Sequence, residues 1–258
     1  MKSLKYEAVK VSRNKHNLIE DYVVVEAPLQ ININDEPYTV VMRTPGDDTF
    51  LIRGLLFAED IYKGEENLTI EIIENSEHHF SIVNINIKKK DLGKGYLNKR
   101  TLLSVSSCGV CGAQSLNAIK KSGNKLISNN NISPSNILAM FKLMNQKQDL
   151  FNDSGASHAA AIFDSNYQIL SIKEDIGRHN AVDKSIGDLI TQNQLSKANY
   201  LLVSGRVSYE IVTKAFIAKI PTIIAVSGCS SLAIDFCKEF GIHLIGFARG
   251  NNHTFYTI

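Results

Sequence analysis

The sequence predicts an α/β protein, α+β overall. A smaller β-rich N-terminal domain is expected over residues 1–100, and an α/β domain with a mixed, largely parallel sheet over residues 101–258. Three observations predict this. Clusters of β-branched residues separated by turn residues dominate the first hundred positions. Beyond residue 100 the order becomes strand, glycine-bearing turn, helix, repeated, which implies crossovers and a parallel sheet. Of 258 residues, 44% are apolar and 21% charged, a globular balance that can bury a core without disulfide staples.

Element by element, residues 1–20 carry Lys2, Lys5, Lys10, Arg13 and Lys15 with no apolar stretch behind them, so no secretory signal is expected. Val23-Val24-Val25 and residues 29–33 read as strand, and Asn34-Asp35 is a turn signal before a strand over 38–42. Thr44-Pro45-Gly46 ends that strand, because Pro lacks the ladder N–H and Gly permits a turn. Asp47 or Asp48 is expected to cap a short helix with Leu51, Ile52, Leu55 and Leu56 on its apolar face. Residues 68–73 and 80–87 read as a hairpin. Residues 88–99, with Gly93 and Gly95, are the candidate boundary or mobile connection.

In the second part, Tyr200-Leu201-Leu202-Val203 leads through Ser204-Gly205-Arg206 into a helix containing Ile211 and Ala215. Pro221 restarts the chain as a strand over 222–226, followed by Ser227-Gly228 and a helix capped by Ser230 and closed by Gly241. A further strand over 243–247 ends in Ala248-Arg249-Gly250.

Charge narrows the partners. The net of +2 gives no reason to expect nucleic-acid binding. Residues 1–100 sum to −2 and residues 101–258 to +4, so an anionic ligand is favoured in the second part. Lys88-Lys89-Lys90 reads as a solvated strand end. No apolar run approaches the ~20 residues that a membrane span needs. Four cysteines, two in a C-x-x-C pair, argue against a secreted disulfide framework, and a cytoplasmic protein is expected.

The chemistry-bearing residues fall in loops. A strand over 101–105 runs into Ser106-Ser107-Cys108-Gly109-Val110-Cys111-Gly112, and a helix is expected from about Ala113. Thiols just ahead of a helix have a lowered pKa, because its N-terminal partial charge favours thiolate. Thiolate chemistry, metal binding and two incidental thiols are all compatible with Cys108 and Cys111. Zinc needs about four ligands and the pair supplies two. Zinc deaminases use H-x-E with P-C-x-x-C, whereas none of the seven histidines here has Glu two residues later and Ser107 replaces the Pro. No zinc is expected. His158 stands at the head of an apolar strand. Glu174-Asp175-Ile176-Gly177-Arg178-His179-Asn180 precedes a helix and suits either an anion site or an Arg178 ion-pair network with Asp175 and Asp183. Arg206 and Arg249 fall at carboxyl ends of strands, the edge where open α/β sheets bind ligands.

These motifs resemble the formate dehydrogenase accessory sulfurtransferases, the FdhD family. The matching segments are Met42-Arg43-Thr44-Pro45-Gly46-Asp47-Asp48, the C-x-x-C loop over 106–112, and residues 154–158, 174–184, 204–210, 230–233 and 246–250. Ala156 stands where the family usually has a second Gly, and Gly228-Cys229 where Ala-Pro is common. The resemblance implies a sulfur carrier with a cytidine-deaminase-like α/β domain. A cysteine desulfurase would load a persulfide onto Cys108, assisted by Cys111, for transfer to the molybdenum cofactor of formate dehydrogenase. That cofactor, a bis-molybdopterin guanine dinucleotide with GDP as its surrogate, would be held by Phe247, Ala248, Arg249, Gly250, Asn251 and Asn252, with Arg206, His158, Arg178 and His179. The resemblance also implies a homodimer. Two other classes remain open: a thiol–disulfide oxidoreductase, since strand, C-x-x-C, helix is also the thioredoxin arrangement, and a non-catalytic cofactor chaperone.

Overall fold

The computed structural model describes residues 2–13, 15–64, 66, 68–75, 79–97, 124–127, 132–250 and 252–257. Strands β1 (Ser3–Ser12) and β2 (Lys15–Val24) form a two-stranded antiparallel ribbon that is exposed over most of its length. Strands β3 (Ala27–Ile33) and β4 (Glu36–Arg43) form a hairpin whose turn residues Asn34 and Asp35 both take positive φ, 52° and 67°. Short polar side chains tolerate that conformation. Strand β3 also pairs in parallel with β6 (Ser81–Ile85), and β6 pairs antiparallel with β5 (Ile70–Asn75), giving a four-stranded sheet in the order β4-β3-β6-β5.

Helix α1 (Asp48–Ala58) covers this sheet, packing Leu51, Ile52, Leu55 and Leu56 against Leu29, Ile31, Ile33 and Ile85. Its cap differs from the expected one. Asp47 sits at the N-cap with φ 57° and makes no side-chain bond to the helix. Its carboxylate instead meets Lys2 at 2.9 Å and Lys173 at 3.3 Å. Burial raises the Asp47 pKa, but the two ammonium groups outweigh it and hold the carboxyl below its ordinary value. The described part of the 88–99 connection is two docked 3₁₀ turns, Lys89–Asp91 and Lys94–Leu97. Gly93 N–H donates to the Ile61 carbonyl and Gly95 N–H to the Asp60 carbonyl, at 2.8 and 3.0 Å. Lys88, Lys89 and Lys90 are exposed there, on a turn and not on a strand.

The second sheet has six strands in the order β12-β11-β10-β9-β7-β8. They are β7 (His158–Phe163), β8 (Ile169–Asp175), β9 (Tyr200–Val203), β10 (Thr222–Ala225), β11 (His243–Arg249) and β12 (Asn252–Phe255). The expectation of a largely parallel sheet is corrected. Strands β9, β10 and β11 are parallel, but β7 is antiparallel to both β8 and β9, and β12 is antiparallel to β11. Short turns at both flanks force this, because a hairpin connection can only join antiparallel strands. The β7–β8 turn is held by the Asp164 carboxylate, which accepts from the N–H groups of Asn166 and Gln168. The β11–β12 turn uses Gly250 at φ 57°.

Helices α4 (Arg178–Thr191), α5 (Tyr209–Ile217) and α6 (Ser231–Phe240) cover one face of this sheet, and α2 (Pro134–Gln146) the other, followed by the short α3 (Asp149–Ser154). As expected, Ser230 caps α6 by accepting from the Ala233 N–H, and Gly241 ends it in the left-handed conformation. The helix α2 has no counterpart in the sequence reading, although Ser133 caps it and Pro134 opens it. No helix among the described residues is long and apolar enough to cross a membrane.

Two features bind the N-terminal sheet to α4. Helices α1 and α4 cross at Gly54 and Gly187, where a Cβ on either would strike backbone of the other helix: the Asp183 carbonyl for Gly54, the Phe50 carbonyl for Gly187. Beside this crossing lies a buried polar clamp. Asp175 and Lys184 are fully buried and 2.7 Å apart. Lys184 also donates to the Thr44 carbonyl (2.8 Å), and Thr44 N–H donates to Asp175 (3.1 Å). The other Asp175 oxygen accepts from Gly177 N–H and the Asn180 amide, which also donates to the Met42 carbonyl. Arg43, equally buried, spans both oxygens of Asp48 at 3.0 Å and donates to the carbonyls of Ala27 and His79. The Met42 to Asp48 motif is thus spent on docking.

Candidate functional site

The parallel strands fix one edge. The turns after β9 and β10 lie side by side there: Val207 N–H donates to the Gly228 carbonyl, and Ser230 N–H to the Val207 carbonyl. Because β7 runs opposite to β9, with Ala160 beside Val203, its first residue His158 comes to the same edge. Ser204 joins the two strands, accepting at its hydroxyl from Ala159 N–H at 2.9 Å and lying 3.4 Å from His158 Nδ1. His158 also stands opposite Asp175, the last residue of β8, so the clamp delivers the start of α4 to this edge. Helix α4 begins at Arg178, so Arg178 and His179 lie in its first turn and not in a loop ahead of it.

Four of the expected residues therefore meet here: His158, Arg178, His179 and Arg206. A Cβ on Gly205 would lie 3.2 Å from His158 Nδ1 and 3.4 Å from Arg178 Cδ, so glycine lets the turn close onto both side chains. Burial lowers the His158 pKa, and the Arg178 and Arg206 guanidinium groups lower it further. The Arg178 ion pairs weighed from the sequence do not form, since Asp175 pairs with Lys184 and Asp183 with Lys214. Arg178 Nε is buried and has no hydrogen-bond partner among the described residues. A buried donor without an acceptor is costly, and such an atom facing a ligand edge marks the place of an acceptor.

Glu210 and Ser208 fall within the 204–210 segment that carries the resemblance but are not among the expected site residues. His179 Nε2 lies 2.9 Å from Glu210 Oε2 and 3.1 Å from the Ser208 hydroxyl, while Glu210 Oε1 is buried with no partner among the described residues. The signals available were that segment and spacing: Glu210 stands in the first turn of α5, the helix that follows the Gly205 turn.

The 247–252 segment differs from the expected strand-to-loop exit. After a bulge the strand continues through Arg249, and the chain returns as β12. Phe247, at φ 53° and half exposed, lays its ring over Gly228, where a Cβ would approach the ring tip to 2.8 Å. An Ala at position 228 would push that ring aside. Arg249 is partly spent, because its Nε donates to the Val226 carbonyl at 3.1 Å. Ala248 is a core residue, packed with Ile224 and Ile245, and offers no side chain to a ligand. Gly250 and Asn252 form the exposed end of the hairpin. Cys108, Cys111 and Asn251 lie outside the described residues. Of the other cysteines, Cys237 is buried in the core, and burial pushes half-buried Cys229 up to about 11, so neither is a thiolate at neutral pH. Among the described residues no group of three or more His, Cys, Asp or Glu is placed to hold a metal ion.

Known proteins carry the same pattern. A profile described as the FdhD/NarQ family matches residues 24–258. The chain is 39% identical over 254 residues to a Sulfolobus acidocaldarius protein named sulfur carrier protein FdhD, covering 96% of this chain and 95% of that one. A Saccharolobus solfataricus protein of the same name is 37% identical over 257 residues, covering 98% and 95%. A solved structure of a candidate formate dehydrogenase accessory protein from Desulfotalea psychrophila superposes with a TM-score of 0.76 at 18% identity, covering 100% of this chain and 98% of that one. At that identity the likeness carries the fold.

Proposed function

The chain belongs to the FdhD/NarQ family, and we propose that it is a sulfur carrier for the maturation of formate dehydrogenase. Cys108 is the carrying thiol and Cys111 assists. The thiolate of Cys108 attacks the terminal sulfur of a persulfide on a cysteine desulfurase. The donor's S–S bond breaks, its cysteine leaves as a thiolate, and Cys108 holds the sulfane sulfur as a persulfide. No outside oxidant is required, because the transferred sulfur brings its oxidation state with it.

The acceptor substrate in this reading is the bis-molybdopterin guanine dinucleotide cofactor, held at the carboxyl edge of the six-stranded sheet. The observation that carries the placement is the buried Nε of Arg178, unpartnered among the described residues, beside His158 and Arg206. A phosphate oxygen supplies the missing acceptor, and Arg206 adds a second guanidinium. Gly205 and Gly228 keep the turns free of Cβ atoms, and the half-exposed Phe247 ring offers a face for base or ribose. His179 and the exposed hairpin end at Arg249, Gly250 and Asn252 complete the rim, and the resemblance adds Asn251. The strand order β8-β7-β9-β10-β11 supports the cytidine-deaminase-like description, without a catalytic zinc.

Mass spectrometry after incubation with a cysteine desulfurase and cysteine tests the carrier step. The parent protein gains one sulfur atom on Cys108, and the Cys108→Ala protein fails both to gain it and to activate a co-expressed formate dehydrogenase. A Cys108→Ala protein that still activates its client removes the carrier role from this residue. Reversible Cys108–Cys111 disulfide cycling without sulfur uptake moves the reading to a thiol–disulfide oxidoreductase.

A further inference from the structure

The basic groups at the ligand edge are accounted for by phosphate, which leaves one acidic group over. Glu210 stands in the first turn of α5, and its Oε2 lies 2.9 Å from His179 Nε2. Its Oε1 is buried and has no hydrogen-bond partner among the described residues. A phosphate cannot be the missing partner, because a carboxylate has only acceptors and repels a second anion. The partner has to bring donors. Each carboxylate oxygen accepts at two positions, so Oε2 can take a further N–H beside His179. Glu210 therefore offers two neighbouring acceptors, Oε1 and the second position of Oε2.

The chain places these acceptors close to the aromatic face of the site. Val207, three residues before Glu210, donates its N–H to the Gly228 carbonyl at 3.1 Å, and the Phe247 ring lies over Gly228. A flat ring with two adjacent in-plane donors suits such a pair of acceptors. The 2-amino-pyrimidin-4-one edge is of this kind, with a ring N–H beside an exocyclic amino group. From the open Oε1 and the half-used Oε2 we propose that Glu210 is the specificity-determining residue of this site and accepts from that edge. The inference rests on the placement of the guanine dinucleotide cofactor at this end of the sheet. Guanine and pterin both carry the edge. Hypoxanthine keeps the ring N–H and lacks the amino group, and adenine puts an acceptor where guanine has the ring N–H. A site that hydrogen-bonds a donor discriminates against the analogue without it, because its own buried acceptor is then left unpaired.

Calorimetry on the full-length parent and the Glu210→Gln protein, with GDP, IDP and ADP, tests the assignment. The parent binds GDP about 10- to 100-fold more tightly than IDP, the worth of one hydrogen bond to a charged group, and ADP more weakly still. Glutamine keeps the size of the side chain but turns one acceptor into a donor, so in the variant the preference for GDP over IDP collapses towards parity. The parent's own ratio tests the inference without any variant. A GDP preference with no binding of 6-hydroxymethylpterin assigns the edge to guanine. Binding of 6-hydroxymethylpterin by the parent that is lost in Glu210→Gln assigns it to the pterin ring. Equal affinity of the parent for GDP and IDP without pterin binding overturns the inference and leaves the nucleotide at this edge. A preference that survives unchanged in Glu210→Gln does the same. A parent that binds neither GDP nor the pterin removes the ligand from this edge, and the inference with it.

Discussion

Two polar clusters sit next to each other in this molecule, joined by the three residues from Asp175 to Gly177. The clamp around Asp175 and Lys184 is dry, and its charges are matched. Both oxygens of Asp175 accept twice, and Lys184 divides its protons between Asp175 and Thr44. The edge cluster around Arg178 is likewise built from charged and hydrogen-bonding side chains, is only half buried, and leaves Arg178 Nε and Glu210 Oε1 without partners among the described residues. In the sequence the two are hard to tell apart, since both draw on charged and polar residues beside glycines. Accounting for hydrogen bonds separates them. A buried charge that is fully matched holds structure, and one left short among the described residues has an open valence for a ligand atom.

The largest expected effect lies in the clamp. Replacing Lys184 by Ala leaves the Asp175 carboxylate buried without its ion, and breaking a buried pair in this way costs about 3–5 kcal/mol. Urea denaturation of the variant measures the loss. A loss under about 1 kcal/mol, the range of a solvent-exposed pair, contradicts the dry clamp. Arg178→Ala should behave in the opposite sense. Folding stability changes little, while GDP affinity by calorimetry falls by about 1.5–3 kcal/mol, the range of a hydrogen bond to a charged group. Equal GDP affinity in the two proteins removes Arg178 from the ligand edge.

Next in size is the α1–α4 crossing that holds both clusters in place. Gly187→Ala drives a methyl group into the Phe50 carbonyl, and overpacking of this kind costs about 1–3 kcal/mol. Because α4 carries Arg178 at its first residue, the same variant should weaken GDP binding as well as stability. Gly155→Ala is a control of a different kind. No atom lies within 4 Å of a Cβ there, so only its left-handed backbone, at φ 66°, is penalised.

What the sequence reveals depends on how far apart the partners are along the chain. The Ser230 cap, the Gly241 stop and the turns after β9 and β10 are local, and each was legible from its own residues. The clamp was not, because Thr44 and Asp175 are 131 positions apart, and nothing near Met42-Arg43-Thr44 says which distant groups will satisfy them. The glycine crossing was hidden for the same reason. The ribbon was missed on different grounds: it is exposed over most of its length, so its apolar residues, Tyr6, Val9, Val11 and Leu18 among them, mark no buried face. The site was half legible. His158, Arg178, His179 and Arg206 were found from strand ends and loop chemistry, whereas Glu210 waits one turn into a helix. The 247–252 segment went astray because a bulge and a hairpin read, in one dimension, like a strand running out into a loop.

The smallest effect separates the two regions by pH. His158 and His243 both have pKa values held below the ordinary range, His158 by burial and then by Arg178 and Arg206, His243 by burial alone. A histidine lowered in the folded state is neutral there while the unfolded chain still takes up a proton. Each therefore costs stability as pH falls below the unfolded value of about 6.5, and contributes nothing above it. Without ligand the two rings titrate in the same direction from the ordinary value. GDP should part them. A phosphate beside Arg178 favours the imidazolium form of His158 and raises its pKa, so by linkage GDP binds more tightly as pH falls from 7 towards 6. His243 stacks on Phe255 at the start of β11, at the opposite end of the strand from the ligand edge, and its pKa should not move. Proton NMR of the ring resonances, titrated with and without GDP, reads both at once. An upward shift at His158 alone keeps the ligand at this edge. Equal shifts at both rings, or none at either with GDP bound, place the nucleotide elsewhere.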